Sequence, residues 1–543
     1  MSTYTPLETD NLVKPTENGE KDQDVVRYKI DEVLEHFGSI GKFQIYLILL
    51  CTCIGLVAPW RILFDIFAAK PVPWKCTTLG KSISDGCKFE EGKMPCAVEA
   101  NADLESRLRS GEIEGMDKNA VGAGLFWEFD KETADHSIRS TMMLSCSDDW
   151  KFSFASSIYF IGAFFGVWMF GSLSDMLGRR ITCMISLGMC IGQAWIIPFF
   201  NNITVYLACR FFDGAAFGGF FLIAFVLEVE YAPPKYRNRV GSAFHFITSV
   251  GMATVAIWGV IFKPWKAYAI ALAIPPTIML PVCYFLLPES ARYYLGKGDD
   301  QSALTMLQKV ADVNGKTIPA GCQLYEEVDE KTGVRDLLKR LSNGLLIRCA
   351  LINMFGWFMT SLVYYMLWFS AKSLAGDIYV NAAILGIAEI PGRAVAFVLM
   401  DKIGRKFTFM GSIGVGCVCM FVSIHDNPVS RKVMYCIGKA VSAALWAVIY
   451  LYSSEMYPTK IRNLGSGIGS AAARVAALIA PFIGDWLEVS PIVPYILVGV
   501  LAIVCSGIFM FVPETSGKDL PQTLEDFELL FEDKKDKGED EQL

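Results

Sequence analysis

Charged residues are scarce in this sequence, and histidines are nearly absent. Only 19% of the 543 residues are Asp, Glu, Lys or Arg, and the four histidines are scattered without the spacing of metal ligands (His36, His136, His245 and His425). A Gly-x-x-x-x-Gly-Lys-Ser/Thr phosphate loop is also missing. We therefore expect no metal or other cofactor, no ATP-driven step, no nucleic-acid partner and no enzymatic activity.

Apolar residues are abundant and occur in long runs. They make up 53% of the chain, and about 20 consecutive apolar residues suffice for a membrane-spanning helix. Because residues 1–40 are too polar for a signal peptide, the first run is expected to act as its own insertion signal. The runs predict an all-α membrane protein with twelve transmembrane helices, at 43–64, 152–172, 181–200, 204–227, 240–262, 267–287, 349–369, 378–400, 407–424, 433–453, 464–486 and 493–512.

The lysines and arginines of the short loops collect on one side of this arrangement. That side includes the basic residues near 180, 237, 405 and 462, while the other side has only Lys263, Lys266, Lys372, Arg431 and Lys432. Lys and Arg are retained on the cytoplasmic side of a membrane. We therefore predict a multi-pass plasma membrane protein, embedded in a lipid bilayer, with both termini cytoplasmic.

Three short motifs recur at a nearly constant separation of 225 or 226 residues. The pairs are DMLGRR at Asp175 with DKIGRK at Asp401, Glu230–Arg237 with Glu455–Arg462, and PES at Pro288 with PET at Pro513. A repeat of this length indicates two six-helix halves in the same orientation. This arrangement is the major facilitator fold, in which the substrate site lies between the halves near mid-membrane.

The repeat divides the chain into five segments. They are a cytoplasmic N-terminal segment 1–42, a first six-helix half 43–287, a cytoplasmic inter-half segment 288–344, a second half 345–512, and an acidic cytoplasmic tail 513–543. In the inter-half segment, Asp299 or Asp300 is expected to cap an amphipathic helix that ends at Asn314-Gly315. The acidic end from Glu525 onward is expected to be solvated and disordered.

A large loop at 68–150 is predicted to lie on the extracellular side of the membrane. It contains four cysteines, and an even number on the oxidising side suggests two disulfides, whose three pairings sequence does not resolve (Cys76, Cys87, Cys96 and Cys146).

The repeated charges on the cytoplasmic face are candidates for a gate. In each half a carboxylate and Gly-Arg-Arg or Gly-Arg-Lys form a tight basic turn, and the glutamate and arginine seven positions apart can form ion pairs across adjacent loops. The alternative is that these are ordinary topology-setting charges. The candidate gate residues are Asp175, Arg179, Arg180, Glu230, Arg237, Asp401, Arg405, Glu455 and Arg462.

Together these motifs resemble the organic cation, anion and zwitterion transporters (solute carrier family 22), a branch of the major facilitator superfamily. The resemblance covers most of the chain and rests on FGSIGKFQ at 37–44, WEFD…LSCSDDW at 127–150, GSLSDMLGRR at 171–180, PESARYYLGKGD at 288–299, EMYPTKIRNLG at 455–465 and PETSGKDLPQTLED at 513–526. Sugar porters share the gate motifs but are less similar in the cysteine-bearing loop. Two features depart from the family: the loop lacks glycosylation sequons, and Asp213 stands in the fourth span.

Arg474 lies in the middle of the eleventh span, where a charge costs at least ~2.5 kcal/mol on insertion scales. Gly467, Ser470 and Leu478 share its helical face and leave room beside it. ARVAALIAP resembles the anion-handling members of the family, and a guanidinium suits a carboxylate or sulfonate. Arg474 is therefore the leading candidate for anion recognition, against the alternative of a packing pair with a neighbouring helix.

Glu389 and Arg393 lie four residues apart on one face of the eighth span. One interpretation is an ion pair within the helix. The other comes from the resemblance of EIPG at 389–392 to the cation-handling members, whose glutamate is associated with the translocation path. If Glu389 and Arg474 both face the cavity, the site is dipolar and suits a zwitterion with a quaternary amine and a carboxylate, of the carnitine type.

Four aromatic residues complete the candidate substrate site. Tyr364 and Tyr365 match the tyrosine pair of the anion members, and Trp446 and Tyr450 share one face of the tenth span. Their rings can stack on flat anions or hold cations. The alternative for each ring is lipid-facing or packing duty.

The predicted function is transport of small organic ions by alternating access, leaning to organic anions or carnitine-like zwitterions. Three alternatives remain: a cation carrier of the same family, a sugar porter, and a non-transporting receptor or adaptor. Uniport, exchange for a dicarboxylate and sodium coupling stay open, as does the oligomeric state.

Overall fold

The structure is a computed structural model. It describes residues 27–70, 74–78, 81–82, 127–129, 134–142, 150–319, 322–325, 344–425, 427–458, 461–490, 492–518, 521–522 and 524–532.

Helices dominate the described residues, and the five strands are short. The helices are α1 (Ile30–His36), α2 (Lys42–Ile62), α3 (Phe64–Ala68), α4 (Ile138–Thr141), α5 (Trp150–Leu177), α6 (Arg179–Ile196), α7 (Ile203–Glu230), α8 (Arg237–Ile261), α9 (Trp265–Leu286), α10 (Ala291–Gly296), α11 (Asp300–Asn314), α12 (Gly344–Phe369), α13 (Ile378–Ile403), α14 (Arg405–Val422), α15 (Pro428–Met456), α16 (Arg462–Val489), α17 (Ile492–Phe509) and α18 (Leu524–Glu532). The strands are β1 (Arg27–Tyr28), β2 (Trp74–Thr78), β3 (Lys81–Ser82), β4 (Trp127–Phe129) and β5 (Gln323–Leu324).

Twelve of these helices are long and apolar enough to cross a membrane. They are α2, α5 to α9 and α12 to α17, and each coincides with one predicted span. Lipid offers no partner for backbone polar groups, so continuous helices satisfy them within each span. The twelve-helix prediction is confirmed, and the helices form the major facilitator fold.

Glycines allow helices within each half to pack with their backbones in contact. A Cβ atom on Gly214 of α7 would lie 1.8 Å from the carbonyl oxygen of Tyr159 on α5. In the second half, a Cβ on Gly392 of α13 would lie 2.0 Å from the carbonyl oxygen of Ala440 on α15. No other residue type fits these contacts without moving a helix.

The repeated motifs of both halves lie on the same face of the bundle. We call it the basic face, and it holds the turns at Gly178 and Gly404. Both glycines have positive φ, +97° and +90°, a conformation that favours glycine. In the first half the carboxylate of Glu289, from PES, accepts hydrogen bonds from the backbone amides of Arg179 (2.7 Å) and Arg180 (3.1 Å). The first turn of α6 is thereby capped.

The second half repeats this cap with Glu514, from PET. Its carboxylate accepts from the amides of Arg405 (2.8 Å) and Lys406 (3.0 Å) at the start of α14. Two sequence repeats that are distant along the chain are therefore one structural unit, built twice.

The gate pairs differ from the prediction. Glu230 pairs with Arg179 (3.2 Å), and Arg237 instead pairs with Asp31 of α1. Glu455 holds Arg405 through two oxygens, at 3.0 and 3.1 Å. The expected pairs across adjacent loops, Glu230 with Arg237 and Glu455 with Arg462, were wrong, because each glutamate at the end of its helix reaches the arginine of the nearby basic turn first.

The remaining gate candidates also lie on the basic face. Asp175 pairs with Arg179 at 3.0 Å and Arg180 donates to the carbonyl of Tyr284. Asp401 is exposed. The side chain of Arg462 donates to the carbonyl of Tyr457 at 3.3 Å.

The halves touch each other away from the basic face, on what we call the opposite face, where α5 and α13 begin. Ser153 at the start of α5 donates to Asp485 near the end of α16. Lys70 donates to the hydroxyl of Tyr379 (2.7 Å), whose ring stacks on Phe67 with centroids 5.2 Å apart. These contacts close the gap between the halves on the opposite face.

The N-terminal and inter-half segments form small elements on the basic face. Asp299 caps α11 by accepting from the amide of Ser302 (3.0 Å), and Gly315 ends it with φ +65°. The inter-half helix is as predicted. It is held to the first half by Asn314, whose side chain accepts from the amide of Phe43 at 2.9 Å.

In contrast to the prediction from the sequence, the acidic tail is not disordered at its start. Its first part is the helix α18, and Phe527 on that helix is fully buried. Phe527, Leu530 and Phe531 recur at helical spacing, which gives this stretch an apolar face that the net charge of the tail conceals.

The predicted disulfides remain a prediction. Cys87, Cys96 and Cys146 lie outside the described residues. Only the backbone of Cys76 is described, in β2, where it pairs with Trp127 of β4.

Candidate functional site

A buried charged cluster lies where the two halves meet near mid-membrane. Glu389 of α13 is fully buried, and its Oε1 lies 3.1 Å from the Nζ of Lys439 on α15. The same oxygen accepts from the indole of Trp368 at 3.1 Å. The other oxygen, Oε2, accepts from Ser249 of α8 at 2.9 Å and lies 3.6 Å from Nη2 of Arg393. Glu389 is therefore enclosed by donors.

The ion pair of Glu389 with Arg393 was one of the two interpretations of the sequence, and it is present. This pairing argues against a dipolar site. A carboxylate with no exposed surface does not face a cavity in this structure, so Glu389 presents no negative charge to a ligand here.

Lys439 was missed by the sequence reasoning. Its side chain is fully buried, and its ammonium lies 3.2 Å from the centroid of the Tyr364 ring and 4.6 Å from that of Trp368. The sequence contains the signal, because Lys439 is a charge within an apolar span and, like Arg474, needs a partner or a polar cavity there.

Arg474 of α16 faces α7 of the first half across the space between the halves, which we call the central gap. It is half-buried, and its guanidinium carbon lies 5.9 Å from the ring centroid of Phe217 on α7 of the first half. It interacts electrostatically with Tyr365 and Tyr450. Among the described residues Arg474 has no ion pair. The alternative that Arg474 is paired with a neighbouring helix for packing therefore has no carboxylate to support it among the described residues.

The four predicted aromatic residues form one continuous cluster. Tyr364 contacts Tyr365 (5.1 Å between centroids) and Trp446 (6.1 Å), and Trp446 contacts Tyr450 (5.7 Å). Trp357, which was not predicted, contacts Tyr450 at 4.5 Å and Trp446 at 5.8 Å.

Two of these aromatic residues also touch the first half. Tyr365 packs on Phe160 of α5 at 4.7 Å, and Tyr450 on His245 of α8 at 5.7 Å. Tyr450 is 43% exposed. Because its ring has partners from both halves, this exposed area faces the gap between them and not lipid.

A second buried charged cluster lies within the first half and explains the unexpected Asp213. Its carboxylate accepts from Nε of Arg61 (2.9 Å) and from Nη1 of Arg210 (3.0 Å), and Arg210 also holds Asp65 (2.9 Å). The two arginines balance the two aspartates. Asp213 is thus part of a neutral internal network and is not aimed at the central gap.

Outside the membrane spans, burial shifts two groups of interest. Burial raises the pKa of Glu289, although the amides of Ser290, Arg179 and Arg180 oppose that effect. Burial, followed by the nearby charge of Lys263, lowers the pKa of Lys70 at the opposite face.

No group of three or more His, Cys, Asp or Glu side chains in the described part of the chain is arranged to hold a metal ion. The central gap is instead lined by aromatic rings and cationic side chains, between two bundles of six helices. This combination of fold and site defines a membrane transporter of the major facilitator type.

Comparison with known proteins gives the family. The family described as "Sugar (and other) transporter" matches residues 120–527. Solute carrier family 22 member 15-like of Xenopus tropicalis is 31% identical over 399 residues, which are 72% of this chain and 82% of that protein. The organic cation transporter protein of Drosophila melanogaster is 28% identical over 524 residues, 92% of this chain and 94% of that protein. Mouse solute carrier family 22 member 3 is 29% identical over 72% of each chain.

Among solved structures, the xylose transporter XylE of E. coli in an inward-open conformation has a TM-score of 0.58 at 16% identity, covering 90% of this chain and 99% of that one. This likeness shows the fold alone. The chain belongs to the sugar (and other) transporter family, and it is a multi-pass membrane transporter of the solute carrier 22 type within the major facilitator superfamily.

Proposed function

We propose that this protein transports small organic anions, with aromatic carboxylates as the preferred class. The observation that carries this proposal is the enclosure of Glu389. Glu389 is paired with both Lys439 and Arg393, and Arg474 adds a third cation, so one carboxylate faces three cationic side chains and the central gap has an excess of positive charge. Charge of one sign in a low-dielectric cleft favours a ligand of the opposite sign.

Aromatic rings beside the cations favour a flat ligand. Tyr365 and Tyr450 lie near Arg474, and Trp446 packs on Tyr450. Ring contacts are worth roughly 0.5–1.5 kcal/mol each. A guanidinium can bind a carboxylate with two parallel hydrogen bonds. An aromatic carboxylate therefore uses both features of the site at once.

The proposed mechanism is alternating access. The structure is closed on the opposite face, which we propose is extracellular, by the Ser153–Asp485 and Lys70–Tyr379 contacts. Rocking of the halves would break these contacts and bring the two basic turns together on the cytoplasmic side. The charge motifs there are then the inner gate.

The test is uptake into vesicles that contain the purified full-length protein. We expect benzoate to be taken up, and Arg474→Gln to reduce benzoate uptake at least tenfold, since a charge-assisted hydrogen bond contributes about 1.5–3 kcal/mol. Arg474→Lys should retain part of the activity, because it keeps the charge but loses the planar fork. The control is Thr204→Val, because Thr204 lies at the start of α7, far from the central gap.

Uptake of a quaternary ammonium dye, unaffected by Arg474→Gln, would overturn the anion proposal in favour of a cation carrier. Carnitine uptake that needs Glu389 would favour the zwitterion. Hexose uptake that is insensitive to these substitutions would favour a sugar porter. Absence of flux for all four solutes in folded protein would favour a receptor or adaptor.

A further inference from the structure

One serine hydroxyl of the first half uses both its donor and its acceptor on charged residues of the second half. Ser249 on α8 is fully buried; its hydroxyl donates to Oε2 of Glu389 (2.9 Å) and accepts from Nε of Arg393 (2.8 Å). A hydroxyl has one proton to donate. The hydrogen bond to Glu389 therefore uses the proton of Ser249, the bond from Arg393 uses a lone pair of the same oxygen, and both partners are charged.

The backbones of α8 and α13 come into contact one turn from this serine. A Cβ atom on Gly386 of α13 would lie only 2.5 Å from the Cα of Ala253 on α8. Ala253 follows Ser249 by four residues and Gly386 precedes Glu389 by three, so these residues share the facing surfaces. The hydroxyl thus lies one turn from a point where the backbones of the two halves are in contact.

Arg393 is bound only in part. Its Nε donates to Ser249, while Nη2 lies 3.6 Å from Glu389, beyond hydrogen-bond distance, and the side chain is 10% exposed. A carboxylate binds an arginine best through two parallel hydrogen bonds, which can be made to Nε and the adjacent Nη. Ser249 occupies Nε, the first of these positions.

We propose that Ser249 is a substrate-displaced bridge between the halves: a substrate carboxylate that binds Arg393 replaces the serine hydroxyl and so releases α8 from α13. The proposal rests on the proposed transport of organic anions. Glu389 keeps Lys439 and Trp368 when the serine leaves, so its charge stays satisfied. Ligand binding is then coupled directly to the loss of a contact that holds the halves together.

The test is the concentration dependence of benzoate uptake by Ser249→Ala in vesicles. Without the competing hydroxyl, we expect the KM for benzoate to fall about tenfold, the size expected for a hydrogen bond to a charged group. Ser249→Thr keeps the hydroxyl and should keep the wild-type KM. The matched control is Thr248→Val, since the Thr248 hydroxyl donates to the carbonyl of Phe244 on its own helix (2.9 Å) and its KM should not change.

Two results would overturn the bridge. A KM that rises in Ser249→Ala makes the serine a substrate ligand, and an unchanged KM means that the hydroxyl does not compete. If Ser249→Ala does not fold, Ser249→Cys replaces it, because a thiol is a weaker hydrogen-bonding group and should lower KM in the same direction. Failure of the proposed function is separate: it appears as wild-type protein that takes up no benzoate.

Discussion

The ammonium of Lys439 lies 3.1 Å from the carboxylate of Glu389, and neither side chain has exposed surface. The two residues come from α15 and α13, and Trp368 and Tyr364 of α12 surround them. Taking two charges out of water is costly, and their attraction repays that cost only when both are present and hydrogen-bonded. The pair is therefore expected to act as a unit.

Lys439→Met should lower the free energy of unfolding by about 3–5 kcal/mol, because it leaves Glu389 as a buried charge with a weaker partner. The double variant Lys439→Met with Glu389→Gln should recover most of that loss. Thermal unfolding of the purified protein in detergent measures both. Equal stability of the single and double variants would show that the two residues are not coupled.

The fold could be predicted from the sequence to a large extent, because each span is long and the repeat is regular. The separation between DMLGRR and DKIGRK identified two parallel halves without any contact being known. The apolar face of α18 is not evident from the acidic composition of the tail, because it depends on the helical spacing of Phe527, Leu530 and Phe531 alone.

The site was predicted less completely, because a span does not reveal how its helix is rotated against its neighbours. The partners of Glu389 are Lys439, fifty positions along the chain, and Ser249 in the other half; only Arg393, on the same helix, was visible from spacing. Asp31 is another such case. It belongs to a helix outside the repeat, so nothing in the sequence linked it to Arg237.

The contact of Gly386 with Ala253 makes a prediction about conformation. Gly386→Ala would place a Cβ 2.5 Å from a backbone atom of the other half, so α8 and α13 have to separate. We expect the population that is open on the opposite face to rise. Spin labels at positions 150 and 486, on the exposed surfaces of α5 and α16 near that face, should report a longer distance in the variant.

Gly411→Ala is the matched control for this substitution. Gly411 lies within α14 with open space around its Cα, so its replacement should leave the label distance unchanged. It should also stabilise the helix by roughly 0.5–1 kcal/mol, because alanine loses less backbone entropy than glycine. An unchanged label distance in Gly386→Ala would contradict the steric argument.

The caps formed by Glu289 and Glu514 predict a matched pair of effects. Glu289→Ala removes the acceptor for the amides of Arg179 and Arg180, and Glu514→Ala does the same for Arg405 and Lys406. Each should cost about 0.5–2 kcal/mol of stability, the usual range for a lost helix cap. Since the two sites lie in separate halves, the losses should add in the double variant.

Unfolding temperatures of the two single variants and the double variant test this. Glu525→Ala, at an exposed position of α18, serves as the control and should have almost no effect. A loss in the double variant that is clearly smaller than additive would mean that the caps are not independent units.

Substitution of Glu228 on α7 is expected to stabilise the protein, in contrast to the substitutions of Glu289 and Glu514. Glu228 is 2% exposed, and neither carboxylate oxygen has a hydrogen-bond partner among the described residues. A buried polar group without a partner costs free energy, and an ionised one costs more. Glu228→Gln leaves a polar group without a partner but can no longer ionise, so it should raise the free energy of unfolding by the part of this cost that comes from the charge.

Glu230→Gln, two residues later on the same helix, provides the contrast. Its carboxylate is paired with Arg179 at 3.2 Å, so the same chemical change should destabilise the protein. Thermal unfolding at neutral pH measures both variants. If Glu228→Gln also destabilises, the carboxylate of Glu228 has a stabilising partner after all, and a shift of its effect with pH would identify that partner as an ionic one.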